Sequence, residues 1–366
     1  MNLLDPESIS WLRLSLTPRI GPITFWQLIN QYGSALAALD FLQSESNRLL
    51  QVSLASVEMA TKVNLQMERL KGQILTPFDS NYPFLLKQIP DPPPVLYCMG
   101  DSKFLGKGNI AMVGGRNASM AGQNFAKSLA KEISQYGVPV VSGLARGIDT
   151  AAHMGALDGG AGTIAVLAGG VDVVYPQQNS FLYERIIRSG LIISEMPPQT
   201  IPTARLFPKR NRIISGLCYG TIVIEASVKS GSLITARCAI EQDREVLAVP
   251  GFPADPRHQG CNELIKNGAA LVESMEDIAD ALPQLPLSKA SSRISLATTL
   301  DGCKSMPHLG TLFSLLSTTP VDFEDLLSQT GWPVAMLSEA LAELEVLGYV
   351  ARVNGQFYQT ANEINP

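Results

Sequence analysis

The sequence predicts a doubly wound α/β fold on a mostly parallel sheet, and three observations carry that prediction. Seven short apolar runs rich in valine and isoleucine recur along the middle of the chain, at 110–113, 138–141, 163–167, 191–194, 221–224, 245–249 and 269–272. Each is nearly continuous rather than alternating, the pattern of strands buried on both faces. Most of the intervals between them are long enough for a crossover helix, and repeated βα units wind a parallel sheet.

The flanking regions read differently. Residues 1–72 carry the pattern of short helices and form a small helical N-terminal domain. The passage Asp91-Pro92-Pro93-Pro94 cannot lie inside a helix. The α/β domain is placed at 76–282. A stretch rich in Pro, Ser, Thr and Ala, 283–306, reads as a linker. The tail, 307–362, shows helices at 312–316, 321–329 and 333–347 and then two short strands at 348–353 and 356–359, a winged-helix outline. Its third helix carries Glu339, Glu343 and Glu345 and no Lys or Arg. A helix entering a DNA groove needs the opposite charge, so the tail reads as a protein-contact module.

Composition excludes several classes. The 366 residues suffice for two or three domains, and 46% apolar against 17% charged residues describes large cores rather than disorder. With 28 basic and 33 acidic residues the formal net charge is −5, so any nucleic-acid site is a local patch and not the whole surface. The longest apolar stretch, 163–174, is broken by Gly169, Gly170 and Asp172, whereas a membrane span needs roughly 20 apolar residues. Asp5 and Glu7 precede any apolar run, which is not the start of a signal peptide. Cys98, Cys218, Cys238, Cys261 and Cys303 are odd in number and form no CxxC pair. Reduced, buried thiols in a cytoplasmic protein are expected, with no disulfide and no metal.

Four segments offer chemistry. In Val113-Gly114-Gly115-Arg116-Asn117-Ala118-Ser119 a strand runs into two glycines, an arginine and a serine able to cap the next helix. Such a turn admits a phosphate to the backbone amides; it is equally a tight βα turn with a surface arginine. In Ser142-Gly143-Leu144-Ala145-Arg146-Gly147-Ile148-Asp149, Asp149 is placed to cap the helix carrying His153. An acid/base pair is the other reading, but no nucleophile or metal ligand stands near, so capping and packing roles are preferred.

The most basic segment, Arg205-Leu206-Phe207-Pro208-Lys209-Arg210-Asn211-Arg212, surrounds an aromatic ring with cations at a helix start. Cations there oppose the helix dipole. A bound anion would remove the conflict, and a ring can stack on an unpaired base; a solvated face is the bland alternative. Lys229-Ser230-Gly231-Ser232 turns from a strand into a helix and forms a third candidate phosphate cradle. Loops after parallel strands gather at the sheet's carboxyl edge, so these segments are expected to share one groove. The chain lacks GxxxxGK[ST], GxGxxG and any cluster of metal-ligand residues, so neither a Walker-type ATPase site nor a dinucleotide or metal cofactor is expected.

Together these runs, with Ile213-Ile214-Ser215-Gly216-Leu217, Leu233-Ile234-Thr235-Ala236 and Glu241-Gln242-Asp243-Arg244-Glu245-Val246-Leu247-Ala248-Val249-Pro250-Gly251, resemble in order the signatures of the DNA-processing protein A family (DprA, also called Smf). The resemblance covers roughly residues 76–282. It implies an extended Rossmann-like domain that binds single-stranded DNA without hydrolysing it, hands the strand to the RecA recombinase during natural transformation and recombination, and pairs as a homodimer. It also implies that Gly114, Gly115, Arg116, Arg210 and Arg212 contact phosphates, with Lys209 and Asn211 beside them and Phe207 near a base. Ser230, Gly231 and Ser232 complete that pocket. The family more often has Ser at the position of Gly115 and Gly at that of Asp243. Arg19-Ile20-Gly21-Pro22-Ile23-Thr24 resembles a helix-hairpin-helix turn in a sterile-alpha-motif-like domain. The competing class is an enzyme, a nucleoside-monophosphate phosphoribohydrolase with Glu225 and Glu241 as catalytic carboxylates. Those enzymes resemble Pro-Gly-Gly-x-Gly-Thr, where this chain has Ser-Gly-Ser-Leu-Ile-Thr. A nucleotide-sensing domain without catalysis is the third option.

Overall fold

The computed structural model describes residues 5–44, 53–287, 309, 312, 315–316, 321–346, 349–353 and 356–359. The chain divides into two compact units, residues 1–290 and 291–366. All of the expected linker except 283–287, and much of the first helix expected in the tail, lie outside the described residues.

In the first unit four helices come first: α1 (Pro6–Leu16), α2 (Pro22–Tyr32), α3 (Ala35–Gln43) and α4 (Val57–Arg69). Asp5 caps α1 through the Glu7 and Ser8 amides, and Ser34 and Ser56 cap α3 and α4. The Arg19–Gly21 region turns the chain between α1 and α2, with Arg19 in the left-handed region. Trp11, Phe25 and Trp26 meet edge to face inside this bundle.

The sheet holds nine strands in the order β1-β2-β6-β5-β4-β3-β7-β8-β9. Its parallel part contains β3 (Ile110–Gly114), β4 (Val140–Ser142), β5 (Thr163–Val166), β6 (Leu191–Ser194), β7 (Gly220–Ile224), β8 (Glu245–Ala248) and β9 (Ala270–Leu271). All seven expected strands are present. Two more extend the sheet: β1 (Gln73–Leu75) and β2 (Leu96–Gly100), joined through the one-turn helix α5 (Phe84–Lys87), with β2 antiparallel to both β1 and β6. The alternation on β3 shows why continuous apolar runs are required. Ala111 and Val113 enter the core on one face, with Ile213, Ile214 and Ala236. Ile110 and Met112 enter the other, with Ala126, Leu129 and Ala152.

From β3 the chain steps outward to β6 on one side, then returns to β7 on the other side of β3. The pair β3/β7 is therefore the topological switch point, where ligand clefts open in doubly wound sheets. Four helices follow strands that end at that edge: α6 (Met120–Gln135), α7 (Ile148–Gly159), α9 (Leu206–Gly216) and α10 (Ser232–Glu241). A further helix, α8 (Ser180–Ser189), packs beyond β5 and β6. The N-terminal helices share a core with the sheet, since Leu12 and Phe25 belong to one cluster with Tyr97, Ala165 and Ile192.

The second unit is a small winged-helix arrangement. Helices Phe323–Thr330 and Val334–Val346 lie in sequence between the strand Val321–Asp322 and the strands Val350–Val353 and Gln356–Gln359, and Gln356–Gln359 pairs with both of the others in a three-stranded sheet. Val321 and Asp322, expected to open a helix, instead supply its third strand.

Candidate nucleic-acid interface

The loops after β3 and β7 and the first turns of α9 and α10 enclose a groove of about 510 Å³ at the switch point. Strand β3 approaches β7 so closely at Gly114 that a Cβ there would lie 1.9 Å from the Ile224 carbonyl oxygen. Gly115 donates its amide to the Glu225 carbonyl at 2.7 Å. Ser119 is the N-cap of α6, as expected, accepting from the Gly122 amide at 2.9 Å. The buried Glu225 carboxylate accepts from both the Ser119 amide and its hydroxyl. Glu225 itself is held in the left-handed region at φ 48°, a strained conformation characteristic of functional loops.

Asp149 does not cap α7. Its carboxylate accepts from the Gly143 and Ala145 amides and braces the loop after β4, while Gly147 stands at the N-cap. His153 is fully buried; its Nε2 accepts from the Leu144 amide at 3.3 Å and its Nδ1 faces Thr163 Oγ1 at 2.7 Å. The preference for packing over acid/base chemistry fits these contacts.

The basic segment divides. Arg210 lines the groove but is buried, and its guanidinium donates to the carbonyls of Gly143 and Val166 at 2.6 and 2.7 Å. Gly143 must be glycine for this, since a Cβ would fall 1.9 Å from an Arg210 nitrogen. Burial lowers the Arg210 pKa to about 10, with Asp149 opposing that shift. Arg210 Nε is buried without a protein acceptor. Asn211 lines the groove too and donates to the Gly231 carbonyl, tying α9 to the Ser-Gly-Ser turn. Ser230 and Ser232 share a hydrogen bond of 2.7 Å between their hydroxyls, and both line the groove beside the exposed Gly231. Lys209 is exposed on α9 but is not among the lining residues.

Arg212 corrects the expectation. All of its nitrogens are engaged away from the groove: with both Glu195 carboxylate oxygens, and with the Asp91 carboxylate and carbonyl. Phe207 corrects it in part. Its ring is half-buried, with the Arg116 guanidinium 5.2 Å and the Arg210 guanidinium 5.9 Å from its centroid. The ring expected to receive a base therefore already has two protein cations near its centroid. Arg116 lines the groove and is exposed.

The two carboxylates of the competing enzyme reading are not brought together. Glu225 is held by Ser119, and Glu241 is exposed at the end of α10 and does not line the groove. Among the described residues no group of three His, Cys, Asp or Glu could hold a metal, and no helix is long and apolar enough to cross a membrane. Sequence reasoning passed over Tyr175, Glu195 and Arg257, the last an exposed arginine that lines the groove while paired with Asp255 at 2.6 Å. The first two lie beyond the ends of predicted strands, a position that by itself could have marked them.

A doubly wound sheet whose switch point gathers glycine turns, serine hydroxyls and arginines defines an α/β protein of the extended Rossmann kind. The chain belongs to the DprA/Smf family. Residues 73–283 match the family described as DNA recombination-mediator protein A, residues 5–61 a DprA-like N-terminal helix-hairpin-helix domain, and residues 305–356 a DprA winged-helix domain. It is 47% identical to the DNA processing protein DprA of Bacillus subtilis over 204 residues, 56% of this chain and 69% of that one. The crystal structure of DNA processing protein A from Streptococcus pneumoniae superposes with a TM-score of 0.64 at 33% identity, over 76% of this chain and 98% of that one. The Helicobacter pylori protein, described by its single-stranded DNA binding mode, superposes with a TM-score of 0.53 at 30% identity, over 58% and 96%.

Asp243, at the position where the resemblance led glycine to be expected, sits at φ 55°, a left-handed conformation that glycine occupies freely and Asp tolerates better than most residues.

Proposed function

We propose that this protein binds single-stranded DNA in the switch-point groove without strong sequence preference and helps load the RecA recombinase onto the strand. The setting would be uptake of DNA by natural transformation and homologous recombination, in the cytoplasm, with two copies pairing through the Rossmann-like domain. The observation that carries the reading is electrostatic. The groove's two carboxylates, Asp149 and Glu225, already accept from protein amides, whereas Arg116 is exposed and Arg210 keeps a buried N–H without an acceptor. An unpaired buried donor is costly, and a phosphodiester relieves it.

Gly114, Gly115, Arg116, Arg210, Asn211, Ser230, Gly231 and Ser232 would meet the backbone phosphates, with Lys209 at the margin and Phe207 as the support of Arg116. Contacts to phosphate position a strand without reading it. The protein is proposed to act by binding, with no cofactor. Gel shifts of single-stranded and blunt duplex DNA of equal length, at several salt concentrations, test this. Single strands should bind well ahead; equal affinity would defeat the proposal. Incubation with AMP separates the enzyme reading, since release of the base would support it.

A further inference from the structure

Beside the groove lies a second hollow of about 330 Å³, and the two share Arg116, Ala145 and Phe207. Its other walls come from the loops after β4 and β5, which bring Arg146, Tyr175, Gln177 and Gln178. We infer that this hollow is a base-stacking subsite in which Tyr175, not Phe207, receives a base of the strand held by the groove. The inference rests on the proposed single-strand binding.

Three observations support it. Tyr175 is 49% exposed, lines the hollow, and stands 5.7 Å from Phe207 with the planes tilted by 59°. The Phe207 ring already has two guanidiniums near its centroid, so the open aromatic surface next to the phosphate cradle is that of Tyr175. The hollow is also preformed. Asn179, buried, donates to the Leu144 carbonyl at 2.9 Å and to Thr150 Oγ1 at 3.0 Å, which ties the Tyr175 loop to the loop carrying Arg146.

Chemically the two hollows differ as a nucleotide's two halves do. The groove offers glycine turns, hydroxyls and arginines suited to phosphate. The hollow offers a ring for a base face and two exposed glutamine amides for its edges. Arg146, exposed, is placed to neutralise the next phosphate. A strand would pass over the wall formed by Arg116 and Phe207, phosphate on one side and base on the other. Stacking on a ring tolerates any base, in keeping with weak sequence preference.

The test uses the full chain and an oligo-dT strand bearing one 2-aminopurine, whose fluorescence falls when it stacks. Wild-type protein should quench it. Tyr175→Ala should weaken binding about five- to 150-fold, the range for loss of one base–aromatic stack, and relieve the quench. Its melting temperature and salt slope should stay unchanged. Tyr175→Phe should retain both affinity and quench. Wild-type binding without quench at any position of the probe, or full affinity in Tyr175→Ala, would overturn the inference while leaving single-strand binding intact. A wild-type protein that retains no strand overturns both.

Discussion

Arg212 and Glu195 meet through both carboxylate oxygens, with 10% and 11% of their side chains exposed. The same guanidinium holds Asp91, and the three prolines that follow give up their carbonyls in turn. Trp26 donates to Pro92, Tyr82 to Pro93 and Trp11 to Pro94, each at 2.8 Å. Arg212 thus fastens α9 to the strap that leads from the N-terminal helices into the sheet. Arg212→Ala should cost about 3–5 kcal/mol, the penalty for stranding one member of a buried pair. Denaturant unfolding measures this. A variant of wild-type stability with a flattened salt slope would instead make Arg212 a phosphate ligand.

Arg116 is expected to behave in the opposite way. It is exposed and touches the protein mainly through Phe207, a cation–π contact worth about 0.5–1 kcal/mol at such a site. Arg116→Ala should leave the melting temperature nearly unchanged. It should reduce the salt slope of single-strand binding by about 0.7, the contribution of one phosphate contact. Titrations at four salt concentrations would read the slope directly, and an unchanged slope would remove Arg116 from the interface.

His153 predicts a loss of stability in mild acid. Burial, reinforced by the nearby Arg210 charge, brings its pKa from 6.5 down to about 3. The unfolded chain takes up this proton below about pH 6.5, while the folded chain refuses it until about pH 3. The contribution is therefore complete above pH 6.5 and is lost as pH falls, by up to about 1.4 kcal/mol per pH unit. Asp149, whose pKa burial raises, works in the opposite direction in acid. Comparing wild type with His153→Asn at pH 7.5 and 5.5 isolates the histidine. The variant should lose less stability between the two, whatever its starting level, and parallel losses would contradict the assignment.

Deleting residues 307–366 should leave single-strand binding largely intact. Arg352 is the sole Lys or Arg in that segment, and the helix Val334–Val346 exposes Glu339 and Glu345. If the truncated protein folds but loses most of its affinity in a gel shift, the winged-helix unit takes part in binding.

The seven parallel strands were legible because burial on both faces imposes a continuous apolar run that polar loops interrupt. The two outer strands were not. Gln73–Leu75 is three residues long, and Leu96–Gly100 follows the proline strap. Leu96–Gly100 is a strand because it pairs antiparallel with Leu191–Ser194, a partner almost a hundred residues away. Val321–Asp322 was misread for the same reason, since a two-residue strand has no period of its own and exists through pairing with Phe357 and Gln356.

At the site, the alternation of apolar runs and turns was enough to say which turns reach the carboxyl edge of the sheet and that the cations concentrate at the start of one helix. It did not separate Arg210 from Arg212, which were both expected on phosphates although two positions on an α-helix lie about 200° apart. Which of them faces the groove depends on partners far away in the chain. Glu195, at the end of one strand, and Asp91, ahead of another, turn one helix face inward through ion pairs with Arg212. The loop after Ser142 supplies the carbonyl that holds Arg210. Those partners are distant in sequence, and a side chain's hydrogen bonds depend on what the fold brings beside it.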